Sequence, residues 1–253
     1  MTWRTPLSEF TLAVIAFVSM MGAALLGLVS KTRPAAEHLR DDNTINVVRL
    51  VANLFVVMTS LVIGLMLNSA KNTLDTNTRN IHMLATELIQ LDRVMRALGP
   101  EAEDARRHLL KYIQLAVNDV DPLEENRYAE ASLDAAGASL RAIRASDRQK
   151  LALWIDARRL YRRVVRQRWV VIDAAGGSIP TPLIVLLITW LAVIFASFGY
   201  WAPLNPIVTA TFFLAALLMS ATVYLIVDMD TTTTGIFRLS NVPFQRAFDQ
   251  LRR

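Results

Sequence analysis

Residues 49–71 read RLVANLFVVMTSLVIGLMLNSAK. No charged residue lies between Arg49 and Lys71, and the segment Leu50 to Leu67 is almost wholly apolar. At about 1.5 Å per residue, a helix of this length reaches across most of the roughly 30 Å hydrocarbon layer of a bilayer. Comparable uncharged runs cover Phe10 to Val29, Leu183 to Ala202 and Ile207 to Val227. The fold class predicted is therefore all-α: a polytopic membrane protein with four transmembrane helices. Composition agrees, since 53% of the 253 residues are hydrophobic and mean hydropathy is +0.34, too apolar for an ordinary soluble fold. Arg4 precedes the first run, as in a secretory signal, but the run exceeds the usual h-region and no A-x-A cleavage pattern follows, so it reads as a retained span. The chain has no cysteine, which excludes disulfides, thiolate metal sites and cysteine nucleophiles together.

Four spans place both termini and the segment 68–181 on one side of the membrane. The organisation expected is a first transmembrane hairpin over 1–67, a helical domain over 68–181, a second hairpin over 182–230 and a C-terminal tail over 231–253. Near the membrane the first side carries Arg4, Lys71, Arg79, Arg158, Arg159, Arg162, Arg163, Arg166, Arg168, Arg238 and Arg246, against Lys31, Arg33, Arg40 and Arg49 on the other. Positive charge is retained on the cytoplasmic face, so the termini and the insert are expected there. Trp3, Trp169, Tyr200, Trp201 and Tyr224 fall near span ends, where an amphipathic ring anchors at headgroup level.

The insert reads as four helices, over 71–98, 101–118, 122–145 and 147–174. Leu98-Gly99-Pro100 stops the first, Asp121-Pro122 and Ser146-Asp147 offer later starts, and no Gly or Pro separates Leu67 from Leu98. On the last of these helices Arg158, Arg159, Arg162, Arg163 and Arg166 share an arc of about 140° at about 100° per residue, opposite Trp154, Ala157, Leu160, Tyr161, Val164 and Val165. A solvated face that enforces orientation and meets anionic headgroups is the plain reading. An electrostatic funnel for anions is the sharper one. Nucleic acid is a poor partner for this face, because no stacking aromatics interleave the arginines.

The second span carries a narrow polar stripe. Arg49, Asn53, Ser60, Gly64, Asn68 and Lys71 fall within about 100° of arc, with Val56 and Val57 flanking them. Unpartnered polar groups are costly in hydrocarbon, so the stripe should face a helix bundle or water. Two readings stand. Either Asn53 and Ser60 serve interhelical hydrogen bonding around a close contact at Gly64, or the stripe is a pore wall with Arg49 at the outer mouth, the valines as a hydrophobic gate and Lys71 at the inner mouth. In the first span Ser19, Ala23 and Gly27 form a small-residue packing stripe. Asp228 and Asp230 end the fourth span, at the unfavourable negative end of a helix. An ion pair with an arginine or an interfacial position would compensate them; as metal ligands for Ca²⁺ or Mg²⁺ they are weak candidates, being only two. His38, His82 and His108 are scattered, and no H-x-x-x-H, G-x-S-x-G or Walker sequence occurs. No enzyme and no cofactor is expected, and Gly176-Gly177-Ser178 reads as a hinge rather than a phosphate loop.

With these residues in place, the chain resembles the bestrophin-like domain family of bacterial membrane proteins. The similarity lies in the order of two spans, a helical insert and two spans, and in Leu225-Ile226-Val227-Asp228-Met229-Asp230 followed by Gly235-Ile236-Phe237-Arg238-Leu239-Ser240. Where that family reads Leu-Asp-Arg-Pro-Phe-Ser-Gly, Asp230 and Gly235 match, and Thr231 to Thr234 replace the basic, proline and aromatic positions. The more distant relation to bestrophin ion channels implies a pentameric channel with cytosolic termini, a pore lined by the second span and a vestibule built from the inserts. The partners implied are the bilayer, further copies of the same chain and small inorganic ions. The expectation is thus a homo-oligomeric ion channel of the bacterial inner membrane, with Arg49 and the arginine face favouring anions. The alternative is a non-conducting, membrane-anchored scaffold or sensor that binds a partner through its helical insert.

Overall fold

A computed structural model describes residues 7–30, 42–118, 127–144, 147–174, 177–230, 243–245 and 247–248. Among these, the elements are helical: α1 Leu7–Ser30, α2 Asp42–Leu98, α3 Glu103–Asn118, α4 Arg127–Ala142, α5 Arg148–Ala174, α6 Thr181–Trp201 and α7 Pro206–Asp230. Four helices are long and apolar enough to cross a membrane, within α1, α2, α6 and α7. The chain divides into two compact units, Met1–Thr73 with Ser178–Asp230, and Leu74–Gly177 with Thr231–Arg253. The 57-residue α2 runs unbroken through Thr73 and Leu74, as the lack of any helix breaker between Leu67 and Leu98 predicts.

In the first unit α1 packs on α6 and α7, around Met20, Ala24, Leu187, Leu191, Val223 and Ile226. Bilayer lipid is as apolar as leucine, so helices associate here through close van der Waals fit and buried hydrogen bonds. Both are present. A Cβ on Gly27 would overlap the Ala196 carbonyl oxygen and lie 2.8 Å from the Tyr200 nitrogen; one on Gly199 would overlap the Ala24 carbonyl oxygen. The Ser220 hydroxyl donates to the Ala13 carbonyl at 2.6 Å, and Phe17 meets Phe213 edge-on at 5.4 Å. Of the expected stripe Ser19, Ala23, Gly27, only Gly27 is buried; the packed seam runs through Ala16, Met20 and Ala24 instead. The reason lies in the partner: Ala196 and Gly199 of α6 accept the backbone around Ala24 and Gly27, which turns the helix by one position.

In the second unit the C-terminal part of α2 packs with α3, α4 and α5 around Leu88, Leu91, Met95, Leu109, Ile113, Leu140 and Val164, with Phe244 added from the C-terminal segment. Several buried polar groups are paired. Asp92, 2% exposed, accepts from Arg96 Nε and Arg106 Nε at 2.7 Å each, the charge-assisted pairing a buried carboxylate requires. Trp154 Nε1 donates to the Leu140 carbonyl at 2.8 Å, and the Tyr161 hydroxyl to that of Leu133 at 3.2 Å. Gly99 adopts φ +80°, a conformation L side chains rarely adopt. It reverses the chain through a 3₁₀ turn at Gly99–Ala102, so α3 begins at Glu103 rather than at residue 101. Asp147 caps α5 by accepting the Lys150 backbone N–H at 2.7 Å. The start expected at Pro122 and the end at Ala145 lie outside the described residues; α4 is described over Arg127–Ala142.

The contact between α1 and α6 has no room for a side chain at Gly199. Gly199→Val is expected to cost about 2 kcal/mol or more, visible as a lower Tm of the detergent-solubilised protein. Gly22→Ala, where an added Cβ meets nothing within 4 Å, should leave Tm within about 1 °C.

Candidate functional site

Within the first unit α2 presents three faces. Ala52, Thr59, Met66 and Ala70, spaced by seven and four residues, are buried and form its inward side. Leu50, Leu54, Leu61 and Leu65 are 60–68% exposed and form an apolar flank. Between these, Arg49, Asn53, Val56, Val57, Ser60, Gly64, Asn68 and Lys71 are all exposed. The structure thus keeps the predicted stripe together on one surface of the chain. No side-chain hydrogen bond joins Asn53 or Ser60 to another described residue, and a Cβ on Gly64 would meet nothing within 4 Å. Packing within the chain therefore gives the stripe no partner among the described residues. A polar row on a helix that is apolar enough to span a bilayer, set beside an apolar flank, has the composition of a surface that meets something other than lipid.

The two carboxylates at the end of α7 lie deep in the first unit, Asp228 0% and Asp230 1% exposed. Asp230 Oδ1 accepts from the Ser178 backbone N–H and from the Ser178 hydroxyl, both at 2.8 Å, and Oδ2 accepts from the Ile179 N–H at 3.1 Å. The Ser178 and Thr73 hydroxyls are 2.8 Å apart. A carboxylate at the negative end of α7 is thereby compensated at the positive end of α6, which starts at Thr181. An arginine, an interfacial position or a cation is the compensation that residue types suggest; the partners of Asp230 are instead backbone donors of Ser178-Ile179, which is distant in sequence and carries no charge. Among the described residues no group of three or more His, Asp or Glu converges to hold a metal. The clamp ties α2, α6 and α7 together just where Gly177, at φ +72°, admits the chain to α6. The expected hinge is thus a fastened turn at Ser178.

The arginine face of α5 is mixed in its surroundings. Arg159, Arg162, Arg163 and Arg166 are exposed and Arg158 half-buried. The Arg158 guanidinium stacks on Trp154 at 4.8 Å from the ring centroid, and Arg159 pairs with Asp156 at 3.3 Å. Arg163 and Arg166 act on Glu87 of α2. Glu87 Oε2 is buried without a hydrogen-bond partner, and desolvation pushes its carboxyl above the usual carboxylate range despite the opposing pull of Arg163 and Arg166. Arg168, which is not part of this face, sits elsewhere. It is 7% exposed, lies 3.8 Å from Glu130, and hydrogen-bonds the buried Tyr112 hydroxyl, whose pKa desolvation pushes up to about 12. Ala157, Val164, Arg168 and Val171 share the buried side of α5.

Among the described residues the fold is all-helical, with four helices long and apolar enough to cross a membrane. A family profile for the Bestrophin-like domain matches residues 18–244, and the chain belongs to that family. Solved structures are similar at low identity. One crystal structure of a variant of a bacterial bestrophin homologue from Klebsiella pneumoniae has a TM-score of 0.59 at 12% identity, covering 94% of this chain and 97% of that one. A second variant gives 0.57 at 13% over 94% and 98%, and a further membrane protein 0.60 at 11% over 94% and 96%. These likenesses show a shared fold. Among the curated proteins no match was found.

Asp230→Ala removes three accepted hydrogen bonds and strands two backbone donors, at a cost of about 3 kcal/mol; Tm is expected to fall by about 6–12 °C. Ser178→Ala, which keeps the backbone N–H on Asp230, should lower it less. Glu87 behaves in the opposite sense. A carboxyl whose folded pKa is raised contributes stability below its unfolded pKa and loses it as pH rises through the folded value. Glu87→Gln should therefore raise Tm at pH 7.5, and the gain should shrink as the pH falls towards 4, as followed by thermal scans across that range.

Proposed function

We propose that the chain assembles as a homo-oligomeric ion channel whose pore is lined by the polar stripe of α2. The observation that carries this reading is the exposure of Arg49, Asn53, Ser60, Gly64, Asn68 and Lys71 along one side of an apolar helix. Repeating that helix around an axis would turn each stripe towards a shared aqueous path and leave the leucine flanks for neighbouring helices or lipid. Family membership supports the reading, since the resemblance to bestrophins implies a channel of this construction and a pentameric ring. Permeant ions enter past Arg49, exchange part of their hydration for Asn53 and Ser60, and pass Val57, 66% exposed, which with Val56 gates the path by rotating into or out of the axis. Arg49 at one mouth, and Arg159, Arg162, Arg163 and Arg166 on the insert, raise the local concentration of anions. In this account residues 68–181 and both termini face the cytoplasm of a bacterium and the spans sit in its inner membrane, following the excess of basic residues near that side.

The test is current through the purified protein in a planar bilayer under an asymmetric KCl gradient. A reversal potential on the chloride side of zero is expected, moving towards the potassium value in Arg49→Glu, with unitary conductance lowered in Asn53→Leu. Conductance and selectivity unchanged in both variants would remove α2 from the pore. A monomer in mild detergent, with no current in any lipid mixture, would instead favour a membrane-anchored scaffold whose insert binds a partner protein.

A further inference from the structure

In the second unit the exposed side of α5 carries more than arginines. At about 100° per residue, taking Arg158 as zero, Leu151 and Trp169 fall at about 20°, Arg162 at about 40°, Ile155 at about 60°, Arg166 at about 80° and Arg159 at about 100°. Leu151 and Ile155 are each 45% exposed and Trp169 is 50% exposed. Along the helix the order is apolar, basic, apolar: two aliphatic side chains, then Arg159, Arg162, Arg163 and Arg166, then the indole. At about 1.5 Å per residue the row from Leu151 to Trp169 is about 27 Å long. Met83 of α2, 49% exposed, borders it, lying one turn before Glu87, the carboxyl on which Arg163 and Arg166 act.

The chain leaves these charges open. Arg96, Arg106 and Arg168 of the same unit are set on Asp92 and Glu130, whereas Arg162, Arg163 and Arg166 make no ion pair with a described residue. Arg159 pairs with Asp156 at 3.3 Å with both side chains exposed, a contact weak enough to exchange. Guanidinium groups spaced i, i+3, i+4 and i+7 on one helix match carboxylates at the same spacing on another, and each fork takes a carboxylate through paired hydrogen bonds. A bilayer fits the row less well. It offers phosphates in one plane with hydrocarbon beneath, which suits a helix mixing basic and apolar groups at every level, and here the two kinds are separated along the axis.

We propose that this side of α5 docks an acidic amphipathic helix of a partner protein, its carboxylates over Arg159, Arg162, Arg163 and Arg166 and the apolar residues of its end turns against Leu151, Ile155 and Trp169. The arginines supply attraction and register, and the apolar groups at the two ends supply the desolvated anchors that charge alone lacks. Met83 at the border adds a side chain that adapts to whatever apolar surface meets it. This docking holds whether or not α2 conducts.

The test is fluorescence anisotropy of a labelled helical peptide of about 20 residues, with leucines in its end turns and glutamates between, titrated with the full-length protein in phosphatidylcholine nanodiscs. Saturable binding is expected. A peptide of the same composition with the leucines and glutamates interchanged in position should bind about tenfold more weakly, and the first peptide should bind Trp169→Ala about three- to tenfold more weakly. Arg162→Glu combined with Arg166→Glu should abolish binding while circular dichroism shows the helical content retained. Ile155→Cys and Trp169→Cys, each in a chain that otherwise has no cysteine, should react readily with a water-soluble thiol reagent and be protected by the peptide. Equal binding of the two peptides would reduce the face to bare charge. Slow reaction of both cysteines without peptide would show the face already covered by a second copy of the chain. Stronger displacement of the labelled peptide by phosphatidylglycerol vesicles than by unlabelled peptide would assign the face to anionic lipid. Each of these results would overturn the proposal.

Discussion

A helix that crosses a bilayer with polar residues along one side cannot leave that side in lipid, and the organisation of this chain follows from that constraint. The α2 helix devotes its inward side to Ala52, Thr59, Met66 and Ala70, small or flexible side chains that let the other membrane helices come close. The remaining arc holds Arg49, Asn53, Ser60, Asn68 and Lys71, and the chain covers none of them. One subunit is thus finished on the inside and unfinished on the outside. Burial of the stripe against copies of itself around water reconciles its chemistry with the bilayer, which is why oligomerisation and conduction enter as one proposal.

The rest of the membrane unit fixes the helices on which such an arrangement would depend. Gly27 and Gly199 bring α1 and α6 into backbone contact, and Ser220 bonds α7 to the Ala13 carbonyl of α1. Asp230 fastens the turn before α6, with the Thr73 hydroxyl of α2 against the same serine. These are the contacts that work where the hydrophobic effect offers no help between helices: backbone approach at glycine and hydrogen bonds shielded from water. In the second unit leucines close a core, and its buried charges, Asp92 and Arg168, are set against partners of opposite charge.

Much of this was legible in the amino-acid order. Apolar run length located the four membrane helices, the absence of Gly and Pro carried α2 unbroken to Leu98, and Asp147 announced the start of α5. Angular arithmetic placed the stripe residues on one side of α2, because helical period is a local property. What escaped depends on neighbours that are remote in sequence. The partner of Asp230 is a pair of backbone N–H groups some fifty residues earlier, and such donors leave no mark in residue types. The seam of α1 shifted because glycine and alanine on α6 decided which of several small residues would be pressed. The seat of Arg168 on the buried side of α5, 3.8 Å from Glu130, likewise depends on a residue of another helix.

The claim that the stripe of α2 faces water can be tested on the chain as it stands, because the native sequence contains no cysteine. Single cysteines would be introduced at positions 52, 53, 57, 59, 60, 61 and 64, and their reaction rates with a small charged methanethiosulfonate reagent measured in membranes. The account predicts fast modification at 53, 57, 60 and 64 and little at 52, 59 and 61, with the pattern following the helical period. Equal protection along the whole of α2, or fastest reaction at position 61 on the leucine flank, would contradict it.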